Sequence, residues 1–354
     1  MPGTEWISWL RCVAVYGVVL IHTVGATATA AVEGDPGVPA VDGWVARALD
    51  LPLLWVVPVF VMLSGALALD PARFRGSGDF LRRRAGRLVP ALVVWNLVYI
   101  GYLSLTRSGW WPGPSEALAR SLTGGVAPHL YFFWIVLGLS LLTPLLVPWV
   151  GRTDRREWVL AGVVAWSVPV LSLWPLGPGG EPVGVTHSAW TWWLPYFGAY
   201  LLGWALRGVV LPSRWVPVLV LAVLALSALL TWQWKNPAAP TWLQDWAGAH
   251  YYSPTVAVLS VCVYLLAQAL VRPGGALSVL TAPRVMAVVD PVGRATLGIF
   301  ALHFLVLLVG TDTGLLGPPV APWPVLLLRF LAVCVVTTLL VLAMQRVPVL
   351  RRLC

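Results

Sequence analysis

The sequence contains few charged residues, and this scarcity excludes an ordinary soluble protein. Only 10% of its 354 residues are charged, whereas 59% are hydrophobic; soluble domains carry about 25% charged residues. Lysine occurs once, at Lys235. The mean hydropathy of +0.82 and the repeated apolar runs predict a membrane protein. We expect an all-α fold, a polytopic helical bundle, because helices satisfy their backbone polar groups internally in lipid.

Motifs for several kinds of chemistry are also missing from the sequence. The four cysteines form no C-x-x-C pair, so neither a disulfide framework nor a zinc site is predicted, and no metal is expected. No D-x-D motif occurs, which disfavours a metal-dependent glycosyltransferase. The net charge of +9 would suit nucleic acid. Because the arginines cluster in alternate loops, however, we interpret them as membrane-topology signals and expect no nucleic-acid partner.

Ten apolar segments are long enough to be membrane spans. The basic residues follow the positive-inside rule: the loops 70–87, 151–156, 207–214 and 272–294 and the tail after residue 343 hold seventeen arginines, and the alternate loops hold four basic residues. This asymmetry predicts both termini in the cytoplasm, in a multi-pass protein of the cell (inner or plasma) membrane. We expect a single integral-membrane domain over residues 1–354. Its predicted spans are 6–29, 51–69, 88–105, 130–150, 157–174, 192–211, 214–232, 254–271, 292–310 and 323–343.

The first span carries two ionisable residues, Arg11 and His22. Ionisable groups at membrane depth are costly and indicate functional sites. Eleven residues at about 100° each return to nearly the same helix face, so both side chains share one stripe, about 16 Å apart. The alternative is structural: Arg11 reaches the headgroups and His22 makes a polar helix contact. A cleaved signal peptide is disfavoured because no basic residue precedes the apolar run.

Two further segments are candidate sites near the predicted cytoplasmic side. Four arginines precede the third span, and such a cluster would bind a polyanion such as phosphate; the positive-inside rule alone also explains it. In the second span, Pro58 with Ser64-Gly65 predicts a kink that either opens a cavity or only permits close helix packing. The clustered arginines are Arg82, Arg83, Arg84 and Arg87.

Histidine and tryptophan supply the remaining candidates. His303 lies nine residues after Arg294, so its depth is expected to approach that of His22. A lone buried imidazole is usually a packing residue, but two at similar depth in one bundle could share a site. His129 begins the run HLYFF. The outer loops contain SGWWPGP, HSAWTWWLP and PAAPTWLQDWAG among twenty-two tryptophans. These indicate either an aromatic belt at the headgroups or a platform on which a sugar ring stacks.

The chain resembles the acyltransferase type 3 family of integral membrane acyltransferases. Three segments carry the resemblance most specifically: WLRCVAVYGVVLIHT, VPVFVMLSGALAL and FLRRRAGRLVPALVVW. The later segments HLYFFWIVLGLSLLTPLL, LPYFGAYLLGWAL and LGIFALHF match more loosely, so the similarity runs from about residue 6 to residue 310. In one departure, many members carry Asp three residues before the arginine of the first span, where this chain has Ser8. We also expect no appended extracytoplasmic domain.

The resemblance implies acyl transfer from cytoplasmic acyl-coenzyme A, with acetyl-CoA the first candidate, to a hydroxyl of a sugar, a polysaccharide precursor or a secondary metabolite. It implies His22 as general base or covalent acyl relay, with Arg11 assisting. Donor binding would fall to Arg11, Ser64 and the four clustered arginines, and acceptor positioning to His303 and His129. The oligomeric state stays open.

The alternative to an enzyme is a transport protein, either a transporter or a flippase. In that interpretation Arg11, His22 and His303 form a charge relay across the membrane. The sequence disfavours it on two grounds: no internal repeat is evident, and no Asp or Glu falls inside a predicted span core.

Overall fold

The computed structural model describes residues 4–111, 113–172 and 187–354, which form helices and no β-strand. The predicted all-α class is therefore confirmed. The helices are α1 (Glu5–Val32), α2 (Ala40–Asp50), α3 (Val56–Ala68), α4 (Ser77–Thr106), α5 (Pro114–Thr123), α6 (Tyr131–Val150), α7 (Arg155–Ser172), α8 (Phe197–Ala205), α9 (Val216–Gln233), α10 (Thr241–Ala247), α11 (Pro254–Leu270), α12 (Pro283–Asp312) and α13 (Trp323–Met344).

Among the described residues, seven helical segments are long and apolar enough to cross a membrane. They are α1, α4, α6, α12, α13, the continuous stretch Ala40–Ala68 and the stretch Ser213–Gln233; α11 is a shorter apolar helix. On α13, Leu328, Leu331, Val335 and Leu339 are exposed at helical spacing, as expected of a lipid-facing stripe. The polytopic membrane bundle is therefore confirmed, whereas the count of ten spans and the side on which the termini lie stay predictions.

Several predicted boundaries differ from the observed helices. The predicted span 192–211 contains only the nine residues of α8 as α-helix, because Pro195 precedes it in a 3-10 turn and Gly208, with φ +73°, follows it. The predicted loop 32–50 contains α2, which begins after Pro39. The last two residues of the predicted span 157–174 and the predicted loop residues 175–186 lie outside the described residues.

The chain divides into two compact units. The first consists of Met1–Phe60 and Gly208–Arg346, and the second of Val61–Arg207 and Val347–Cys354. One boundary therefore falls within α3. The prediction of a single domain over residues 1–354 stays a prediction.

In the first unit, α1 packs against α12 and α13, which also pack against each other. Ser8 of α1 contacts Asp290 of α12, and His22 contacts His303 farther along both helices, so α1 and α12 run in the same direction. This agrees with the predicted topology, in which successive spans cross the membrane in opposite directions, so that the first and ninth spans are parallel. Tyr16 is hydrogen-bonded to Thr338 of α13, and Thr27 contacts Ala321 just before α13, so α1 and α13 are antiparallel. A core of Val19, Leu307 and Val333 joins the three helices.

In the second unit, α8 packs closely on the residues of α3 that follow Phe60. Gly65 lies against the backbone of Tyr200, and Gly203 lies against the backbone of Met62, with no room for a Cβ at either position. The Arg207 guanidinium then donates to the Asp70 carboxylate (2.8 Å) and to the Ala66 carbonyl (2.9 Å) at the end of α3. The small residues thus permit the close approach that the ion pair secures.

Candidate functional site

The first unit brings the two predicted membrane histidines together. The ring centroids of His22 and His303 are 5.3 Å apart at an interplanar angle of 36°. The Phe304 ring lies edge-on to His22 at 5.2 Å. His303 is completely buried and His22 is partly exposed. Two imidazoles with different access to the surroundings therefore share one site between α1 and α12.

The backbone of α12 determines which nitrogen of His303 carries a proton in the neutral ring. His303 Nδ1 lies 2.7 Å from the carbonyl oxygen of Phe300 and 3.2 Å from that of Ile299. A carbonyl oxygen only accepts hydrogen bonds, so Nδ1 is the donor and Nε2 holds the basic lone pair. This is how a backbone contact selects one tautomer. His303 thus presents a defined acceptor atom at Nε2.

Arg11 lies on the same helix as His22, close to the start of α1. The two positions are separated by eleven residues, about 16 Å along the helix axis. Ser8, one turn before Arg11, donates a hydrogen bond of 2.7 Å to the Asp290 carboxylate of α12. Asp290 was missed by the sequence analysis because the ninth span was predicted to begin at residue 292, whereas α12 begins at Pro283.

The four clustered arginines occupy the first three turns of α4, and their surroundings differ. Arg83 forms an ion pair with Asp79, and Arg82 approaches the same carboxylate at 3.9 Å while its side chain is 85% exposed. Arg87 is exposed as well. Arg84 is partly buried, and its guanidinium lies 5.4 Å from the centroid of the Phe80 ring. Arg84 therefore differs from the others in facing the protein.

Tyr200 is a buried residue of the second unit that packs beside the segment containing Ser64. Its hydroxyl lies 2.7 Å from the hydroxyl of Thr143, which is also buried. Its backbone packs against Gly65, the neighbour of Ser64. Neither Tyr200 nor Thr143 was predicted from the sequence. The position of a single polar residue within an apolar run does not show which helices its side chain contacts.

His129 also belongs to the second unit, where it is 2% exposed and packs edge-on against Tyr99 at 5.3 Å. Asn96 lies one turn before Tyr99 on α4 and is buried as well. Its amide nitrogen donates to the Leu92 carbonyl at 2.8 Å. His129 therefore packs against the middle of α4 through Tyr99.

Trp192, in the segment HSAWTWWLP, is covered on both faces. His187 stacks on it at 4.1 Å and Tyr131 at 4.4 Å. Burial lowers the pKa of His187. Since a sugar platform needs an open ring face, Trp192 serves packing, whereas Trp190, 77% exposed, has a ring available for other contacts.

Among residues 4–111, 113–172 and 187–354, no group of three His, Cys, Asp or Glu side chains could hold a metal ion. The first unit instead contains the imidazoles of His22 and His303, and the cationic Arg11 lies about 16 Å from His22 along the axis of α1. An imidazole can transfer a proton, and a guanidinium can bind an anion.

Comparison with known proteins gives one match. A family model described as an acyltransferase domain matches residues 4–345, which is nearly the whole chain and includes residues of both units. No curated protein and no solved structure matches the chain. The match contains the three segments whose resemblance was noted in the sequence. The chain therefore belongs to the acyltransferase type 3 family and is a membrane acyltransferase.

Proposed function

We propose that the protein transfers an acyl group, acetyl or another short chain, from acyl-coenzyme A to a hydroxyl of a sugar, a polysaccharide precursor or a secondary metabolite. His22 is the general base, and His303 positions the acceptor. The observation that carries this proposal is the pairing of His22 with His303 at 5.3 Å inside an acyltransferase. The donor approaches from the cytoplasm, the side on which both termini are predicted to lie in the cell membrane.

The reaction needs one proton transfer, which an imidazole can perform. A nitrogen of His22 takes the proton of the acceptor hydroxyl as the oxygen attacks the thioester carbonyl carbon. The carbon–sulfur bond breaks, and the same proton neutralises the departing coenzyme A thiolate. General base catalysis of this kind is worth about 10²–10⁴-fold in rate. The Nε2 lone pair of His303 would accept a hydrogen bond from a second acceptor hydroxyl.

A covalent relay is the second route open to the same residue. The His22 imidazole would attack the thioester, hold the acyl group on nitrogen, and pass it to the acceptor oxygen. The two routes differ in a measurable way. Only the relay leaves an acyl group on the purified protein when donor is supplied without acceptor.

Donor binding is assigned to the cationic groups, each to be tested by its own variant. Arg11 would pair with a phosphate of coenzyme A, because guanidinium groups bind phosphate in bidentate fashion. In the second unit, Arg84 has the most protein contact, while Arg82 and Arg83 share the Asp79 carboxylate. Arg87 and Ser64 complete the predicted donor contacts, and His129 is a predicted acceptor contact.

The deciding experiment uses purified protein, a series of radiolabelled acyl-CoAs and a panel of sugar and metabolite acceptors, with release of coenzyme A thiol measured alongside labelled product. His22→Ala should lower turnover by about 10²–10⁴-fold. The matched control is His250→Ala, because His250 is exposed in an outer loop, and it should behave as wild type. Full turnover in His22→Ala would overturn the base assignment. Movement of label across a vesicle membrane without thioester cleavage would favour the transporter.

A further inference from the structure

The start of α1 is fixed to α12 by a polar contact that involves Ser8. Ser8 lies three residues before Arg11, so both side chains point to neighbouring parts of one helix face. The Ser8 hydroxyl donates to Asp290 Oδ1 at 2.7 Å. Gly293, one turn after Asp290, lies so close that a Cβ there would be 3.3 Å from the Cα and Cβ of Ser8. The two helices therefore meet at this point with little freedom to separate.

Apolar contacts on the same face fix the rotation of α1. Cys12 packs with Met286 and Val289 of α12, and its thiol points to the Val289 carbonyl. Because Ser8 and Arg11 are three residues apart on α1, the Ser8–Asp290 hydrogen bond brings the carboxylate of α12 to the helix face that carries Arg11.

We propose that Asp290 is the positioning carboxylate for Arg11. An aspartate at position 8 would face Arg11 from one turn away on α1; here the carboxylate comes from α12 and Ser8 holds it in place by a hydrogen bond. The negative charge offsets part of the cost of a guanidinium near the membrane interior and favours one direction of the Arg11 side chain. This inference rests on the proposed role of Arg11 in donor binding.

The same helix pair also sets the distance between the two imidazoles. Ser8 and His22 are fourteen residues apart on α1, and Asp290 and His303 are thirteen apart on α12, so both pairs span about 20 Å. The register fixed at the Ser8–Asp290 contact is therefore the register that places the two histidine rings together. Asp290 nevertheless acts through Arg11 and through the helix register, and touches no reacting atom.

The test relocates the carboxylate from one helix to the other. Asp290→Asn keeps the size and the acceptor oxygen for Ser8 but removes the charge, so the KM for acyl-CoA should rise about tenfold while kcat stays within about twofold. Adding Ser8→Asp to that variant returns one carboxylate to the same place, with the introduced amide donating to it. The double variant should recover a KM within about threefold of wild type. Ser8→Asp alone places two carboxylates side by side and should not improve on wild type.

Asp312→Asn is the matched control, since it removes an exposed carboxylate from the far end of the same helix and should leave the KM unchanged. Unfolding temperature in detergent is measured for every variant. An unchanged KM in Asp290→Asn, or a raised KM that Ser8→Asp does not correct, would overturn the assignment of Asp290. Arg11→Ala distinguishes the donor-binding role of Arg11 from the positioning role of Asp290. An unchanged KM for acyl-CoA in Arg11→Ala would contradict the role of Arg11 itself, whereas a raised KM there with an unchanged KM in Asp290→Asn would contradict only the role of Asp290.

Discussion

Arg329 offers the sharpest test of how the first unit is held together, because one buried guanidinium fixes a whole loop. It lies two turns into α13 and is 2% exposed. Its three nitrogens donate to three backbone carbonyls of the α12–α13 loop: Nε to Leu316 (3.0 Å), Nη1 to Pro319 (3.0 Å) and Nη2 to Pro318 (2.5 Å). Replacing it by Met keeps most of the volume and removes every donor.

The size of the effect follows from these three bonds. A hydrogen bond to a charged group is worth about 1.5–3 kcal/mol. The loop can move and admit water to some of the carbonyls, so we count two bonds as uncompensated. Arg329→Met should therefore lower the free energy of unfolding by about 3–6 kcal/mol. Arg329→Lys should recover only part of this, because an ammonium group lacks the planar fork that reaches separate carbonyls.

Unfolding in mixed detergent, followed by tryptophan fluorescence, measures the loss, and limited proteolysis within residues 313–322 reports whether the loop is released. Arg346→Met is the control, since Arg346 is exposed just beyond α13 and its removal should cost little. A loss below about 1 kcal/mol for Arg329→Met, with the loop still resistant to protease, would refute the reasoning.

Two further predictions concern the histidine site and the second unit. His303→Asn keeps a hydrogen-bond donor near the position of Nδ1, whereas His303→Gln places its amide near the position of Nε2. If Nε2 contacts the acceptor, the Gln variant should retain a higher kcat/KM for the acceptor than the Asn variant. The opposite order would indicate a packing role for His303. Gly65→Ala should destabilise the protein by about 1–3 kcal/mol because its Cβ would collide with the Tyr200 backbone. Its control, Gly86→Ala, has open space and should be neutral or stabilising in thermal unfolding; equal effects would contradict the packing argument.

The sequence predicted the fold class because its signals are local. Apolar runs of span length and alternating arginine-rich loops need no knowledge of tertiary contacts, and they led to the all-α membrane bundle that the structure confirms. Lengths of single spans were less predictable. Pro195 and the positive φ of Gly208 shorten α8 to nine residues, although the surrounding composition stays apolar. Hydropathy indicates whether a segment favours the membrane interior. It does not indicate at which residue the helical hydrogen bonds end.

The candidate site shows the same division between local and long-range information. The stripe of Arg11 and His22 is visible in one helix, because helical periodicity alone puts them on one face. The partners of that stripe are not visible in this way. Asp290 and His303 reach it only because α12 runs parallel to α1 in a register set by the Ser8 contact and by the close approach at Gly293.

The register of α1 and α12 depends on Ser8, the position at which many family members carry Asp. A serine in place of an acidic residue removes a charge from α1, and in an isolated helix Arg11 would have no carboxylate one turn away. The Ser8 hydroxyl donates to the Asp290 carboxylate at 2.7 Å. The side chain at position 8 therefore makes its polar contact with another helix rather than within α1. The helix that supplies the replacement charge is the one that carries His303, so the orientation of the cation and the pairing of the imidazoles depend on one interface.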